Sequence, residues 1–136
     1  MSGVTGAENS TLDAWFGAVT LTPPAQWFCA LSTTTPTEAG TNFSEPSSGA
    51  YARVAVTNNL TNFPAASAGA KTNGTAISFT ESTASWGTIT HIGFYNQLTG
   101  GTLYFWEALP VSKAVAANVT VYFSAGALTI SNLNAG

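Results

Sequence analysis

The sequence predicts a mainly β fold: an antiparallel, β-sandwich or jelly-roll-like domain with a short N-terminal helix and a long ordered loop. Three observations carry this. After Pro24, short segments rich in β-branched and aromatic residues recur between turn residues. Before Pro24, one stretch has helical spacing. The chain has 136 residues, of which 45% are hydrophobic, with one cysteine, so a single core can form without a disulfide. We therefore expect one domain over 1–136, with a helical arm over 1–24 and a sandwich over 25–136.

The helix is expected in "NSTLDAWFGAV". Asn9, Ser10 or Thr11 can cap it, and Leu12, Trp15, Phe16 and Val19 follow at i, i+3, i+4, i+7. Gly17 and Pro23-Pro24 keep it short. A helix with two aromatics on its apolar face must lie against something. The strands are expected in "AQWFCALS", "YARVAVT", "AISFT", "GTITHIGFYN", "TLYFWEAL", "VTVYFS" and "ALTIS". Gly100-Gly101 can supply the positive φ of a hairpin between "HIGFY" and "LYFWE", and Gly126 marks the bend between the last two strands. A closing meander of hairpins follows from that reading.

Alternation assigns the faces, because successive side chains on a strand point opposite ways. Trp27, Cys29, Leu31, Val54, Val56, Ile77, Phe79, Ile92, Phe94, Leu103, Phe105, Val119, Val121, Phe123, Leu128 and Ile130 fall on core-facing positions. The opposite face carries Phe28, Tyr51, Tyr95, Tyr104, Trp106 and Tyr122, so one sheet is apolar on both sides. The N-terminal helix can cover part of that second face. Interface cores are enriched in Tyr, Trp and Phe and depleted in charge, so the same rings also suit self-association. Leu12, Trp15, Phe16, Phe43, Tyr95, Tyr104, Trp106 and Tyr122 are the candidate oligomer or shell contacts.

Between two predicted strands runs "STTTPTEAGTNFSEPSSGA", a polar stretch far longer than the roughly 4–6 residues of an ordinary connection. Pro36 and Pro46 stiffen it, Gly40 and Gly49 permit turns, and Phe43 is an apolar anchor. We expect an ordered excursion, with the long loop over 33–49 lying along its own domain or over an adjacent copy. Arg53, the one charge inside a strand pattern, can tie it down through Glu45.

Charged residues make up only 7% of the chain, against about 25% in an average soluble domain. Three Lys and Arg leave no basic stripe for nucleic acid. No apolar run approaches the roughly 20 residues that span a bilayer, and "MSGVTGAENST" lacks the features of a signal peptide, so the expected place of synthesis is the cytosol. The sequons at Asn9, Asn42, Asn59, Asn73 and Asn118 are expected by chance in a chain rich in Asn, Ser and Thr. His91 is the sole histidine and has no carboxylate or thiolate near it at ligand spacing, so neither metal nor cofactor is expected. The six acids are dispersed, and only Glu38 with Glu45 could meet across the loop as a carboxylate pair. No nucleophile elbow or phosphate loop occurs, so no catalytic residue is expected. Cys29 reads as a small buried hydrophobe.

The segments "ALSTTTPTEAGTNFSEPSSGAYARVAVTNN", "SWGTITHIGFYN", "TGGTLYFW" and "FSAGALTI", in this order, resemble a family of small tailed-bacteriophage virion proteins often labelled phage tail fibre protein. The likeness runs from about Asn9 to Ile130, and the closing "SNLNAG" extends past the family's usual last strand. The resemblance implies a non-enzymatic β-sandwich present in several copies on the virion and assembled in the host bacterial cytoplasm. Lacking repeats and heptads, the chain is expected first as a capsid decoration or cement protein. In that role it would oligomerise, as a trimer, on the major capsid protein. A tail fibre or tail-tip component bound to other tail proteins comes second, and a receptor- or carbohydrate-binding module third.

Overall fold

The computed structural model describes residues 1–131. The extension after Ser131 lies outside the described residues. Among those described, strands β1 (Ser2–Gly3), β2 (Gln26–Ser32), β3 (Val54–Thr57), β4 (Ala70–Thr72), β5 (Ile77–Ser78), β6 (Gly87–Tyr95), β7 (Leu103–Val115), β8 (Tyr122–Phe123) and β9 (Thr129–Ser131) accompany one helix, α1 (Thr5–Gly17). All pairings are antiparallel. The main sheet has the order β1-β7-β6-β2-β3, and β4–β9 and β5–β8 form two-stranded ribbons. The mainly β, antiparallel expectation is met.

Register lines up the expected core face. Cys29 pairs with both Val54 and Phe94, Leu31 with Ile92, and Phe94 with Phe105. These side chains join Ile77, Phe79 and Leu128 from the ribbon side in the main core. Trp86 and Phe63, which alternation alone does not flag, are buried there too. The Trp86 indole N–H donates to the Gly49 carbonyl at 2.9 Å, satisfying its polar edge. Asn73, one of the sequon asparagines, is buried and bonds Thr75, Ser124 and Leu128 backbone groups, locking β4's exit to the last turn.

Three expectations need correction. The last two strands do not form a hairpin: Gly126 (φ +79°) makes the bend, but β8 pairs with β5 and β9 with β4. Leu103 leaves the main core, because the register slips between Phe94↔Phe105 and Tyr95↔Leu103. That bulge at Tyr104 puts Leu103 on the second face. Finally, α1 starts at Thr5, ahead of the polar residues that looked like caps. The hairpin between β6 and β7 forms as expected, with Gly100 and Gly101 at φ +62° and +72°.

Candidate interaction surface

Helix α1 is turned inside out relative to its sequence pattern. Its inward positions are small: Ala7 is buried, Thr11 and Ala14 half-buried. The Ser10 and Thr11 hydroxyls donate to carbonyls one turn back, Gly6 and Ala7, rather than capping. The helix N-terminus is instead satisfied by the long loop, whose Glu38 carbonyl accepts from the Thr5 N–H at 2.8 Å. The outward side carries Leu12, Trp15 (77% exposed) and Phe16 (88% exposed). Ala18, in the left-handed region at φ +52°, ends the helix, with the Val19 N–H reaching the Asp13 carbonyl at 3.1 Å. Val19 and Leu21 then stand about half exposed beside it.

The second face of the sheet is mostly covered by the chain itself. Val4, Ala7 and Leu103 form a small buried cluster, with Phe43, Tyr95, Tyr104, Phe105 and Trp106 packed on it. Phe43 meets Tyr95 edge-on at 5.4 Å. The seat exists because residue 93 is glycine: a Cβ there would lie 2.8 Å from the Phe43 ring and 2.7 Å from Leu103. Trp106 donates its indole N–H to the Thr37 carbonyl at 3.1 Å and sets its edge toward His91, while Tyr104 stands edge-on to Trp27. Thus Phe43, Tyr95, Tyr104 and Trp106 come together half-buried, whereas Leu12, Trp15 and Phe16 form a separate open surface. Tyr122 stands exposed on β8, apart from both.

Arg53 and Glu45 fasten the loop. The Arg53 Nε and Nη2 donate to the two Glu45 oxygens at 2.9 and 2.8 Å, and Nη1 donates to the Gln97 and Gly100 carbonyls at 2.8 and 2.7 Å. The guanidinium also lies 3.6 Å from the Tyr95 ring centre. Burial opposes its charge, but hydrogen bonding to and attraction by Glu45 outweigh that and hold its pKa above the ordinary value. Tyr51 donates its hydroxyl to Glu45 at 2.7 Å and accepts from the Leu31 N–H at 3.0 Å. Burial pushes the Tyr51 phenol up, so it stays a donor. Upstream, the Ser32 hydroxyl accepts from the Thr34 and Ser44 N–H groups, closing the loop on itself. The loop therefore packs on its own sheet.

This arrangement also decides what chemistry the acids can do. Both Glu45 oxygens are engaged by Arg53 and Tyr51, while Glu38 sits exposed at the loop tip, so the two do not form a carboxylate pair. Burial pushes the Cys29 thiol up and His91 down, leaving a neutral thiol and a neutral imidazole that shares a 2.7 Å hydrogen bond with Thr90. Among the described residues no group of three or more His, Cys, Asp or Glu is placed to hold a metal ion, and no helix is long and apolar enough to cross a membrane.

One feature had no counterpart in the sequence reading. Val19 to Pro24 border an apolar groove beside α1, of about 460 Å³, which continues past Pro23 and Pro24 into a cleft of about 620 Å³. Trp27 and Phe105 line both, and Leu60, Phe63 and Lys71 line the second. Three distant segments build this groove, so no local pattern signals it.

A small antiparallel β domain, its long loop clamped to the sheet and an apolar helix face held open, defines a protein built to make contacts. A family model described as "Podophage GP4 fiber I protein gp80" matches residues 3–131, from the second residue of β1 to the end of β9. The chain belongs to this family and is a fibre-type bacteriophage virion protein. No curated protein matches its sequence.

Proposed function

We propose that the chain is a non-enzymatic structural subunit of the tail fibre apparatus, held in the virion through its open helix face. The observation that carries this is the placement of Trp15 and Phe16. Both lie almost bare on a helix whose small side chains face inward. Leaving such rings in water forgoes roughly 1.5–3 kcal/mol each relative to burial, which a place in a larger assembly recovers. The family match supports a fibre over a shell protein. Its partners are other tail proteins and further copies of itself, and it joins the particle in the host cytoplasm.

Capsid decoration is the second reading, favoured by the tightly clamped single body without repeats or a shaft. The loop tip around Glu38 would then bear on the major capsid protein. Counting copies in purified particles tests both. A few copies per particle, with antibody label on the tail, is the fibre outcome. A count near that of the major capsid protein moves the chain to the shell, and absence from the particle overturns both.

A further inference from the structure

We infer that the open helix tip of one copy seats in the apolar groove of a second copy, joining the chains head to tail. This rests on reading the helix face as an assembly surface and names what covers it. Leu12, Trp15 and Phe16 do not line the groove of their own chain. Together with Val19 and Leu21 they present roughly 600–700 Å² of apolar surface, taking about 150–250 Å² for each fully exposed ring. One side of a standard protein–protein interface is about 800 Å². The patch is thus of the size that a stable pair of chains needs.

Charge selects the groove as the occupant's seat. Asp13 flanks the exposed rings, and α1 contains no Lys or Arg. Two such helices packed face to face would bring like charges together. The groove offers one ionisable lining residue, Lys71, whose Nζ is 3.2 Å from the Phe63 and Pro64 carbonyls. An incoming Asp13 gives Lys71 a carboxylate, while Trp15 and Phe16 cover Trp27, Leu60 and Phe105. Each chain then offers one projecting tip and one groove, a heterologous contact that repeats around a ring or along a filament.

The test is sedimentation velocity on the full chain over a concentration series, with circular dichroism as the folding control. The wild type should form a multi-chain species. Trp15→Ser with Phe16→Ser removes the tip, and Leu60→Asp, at a position 69% exposed, blocks the groove. Each variant alone should sediment as one chain. Mixed in equal amounts they should give a two-chain species, because one intact tip and one intact groove remain. Lys71→Glu is a second groove variant, and pairing it with Asp13→Lys should restore the wild-type species. A wild type that stays a single chain, a tip variant that keeps the wild-type mass, or a mixture that stays single-chain overturns the inference. Particle counts read the proposed function separately: a chain found on virions but single in solution sinks only the head-to-tail contact, and an oligomer missing from virions sinks only the fibre role.

Discussion

Arg53 does the work of several residues, and its replacement should show it. Its side chain is 7% exposed and that of Glu45 22%, so removing the guanidinium leaves a largely buried carboxylate without its partner. Arg53→Ala should cost about 3 kcal/mol in urea unfolding. Arg53→Lys keeps the charge but not the fork that holds both Glu45 oxygens and two carbonyls, and it should recover no more than about half. The Glu45 partner was legible because Arg53 was the one charge in a strand pattern. The Gln97 and Gly100 carbonyls were not, since they belong to a turn 44 and 47 residues away. His91 supplies a pH effect of known sign. Burial holds its pKa below the ordinary value, so its contribution to folding is complete above about pH 6.5 and is lost as pH falls through the folded value. Unfolding midpoints at pH 7 and pH 5 should therefore differ more for the wild type than for His91→Gln. Equal differences would show that His91 is as easily protonated folded as unfolded.

Among elements, the loop and the helix should respond in opposite ways to losing an aromatic ring. Phe43→Ala empties the seat over Gly93 and should cost about 2 kcal/mol, below the 3–5 of a fully buried Phe. It should also speed cleavage at Glu38 by a Glu-specific protease, since Phe43 anchors the loop midway. Trp15→Ser removes a ring that touches little of its own chain, so the urea midpoint should shift by no more than about 0.5 kcal/mol. The spacing of Leu12, Trp15 and Phe16 was read correctly as one helix face, yet periodicity cannot say that the face looks outward. That depends on Val4 and Ala7 fitting the small space over Leu103. The start of α1 was misplaced for a related reason: its first N–H bonds a loop carbonyl 33 residues on, which leaves no mark in the local sequence. Strand identity and core face were legible from alternation up to Tyr104, where one extra residue reverses the pattern. The partners of β8 and β9 were not, because a tight turn between two strands looks alike whether or not they pair.

For the molecule as a whole, the main core draws on β2, β3, β5, β6, β7 and the segment around Leu128, so these parts should come apart together. Cys29, fully buried at its centre with its thiol held protonated, reports this. Alkylation of the native protein should proceed only through global opening, with the same urea dependence as unfolding followed by tryptophan fluorescence. Faster alkylation with a shallower dependence would reveal a separately opening part. The described chain also returns to its own start. Ser131 donates its backbone N–H to the Met1 carbonyl at 2.8 Å, and the Met1 ammonium contacts Glu107 at 2.9 Å and the Thr129 carbonyl. At the far tip of another hairpin, Ser67 and Ala70 exchange backbone bonds around an exposed Ala68–Gly69 turn. The polypeptide can therefore be recut: a short linker from Ser131 to Met1, with new ends opened at Ala68–Gly69, should yield a circular permutant with the same circular dichroism spectrum. Its melting point should drop by the worth of the ammonium–Glu107 pair, and adding Glu107→Gln should then cost less than in the parent. Cargo fused to either native end leaves from one corner, so both ends can serve as a single handle.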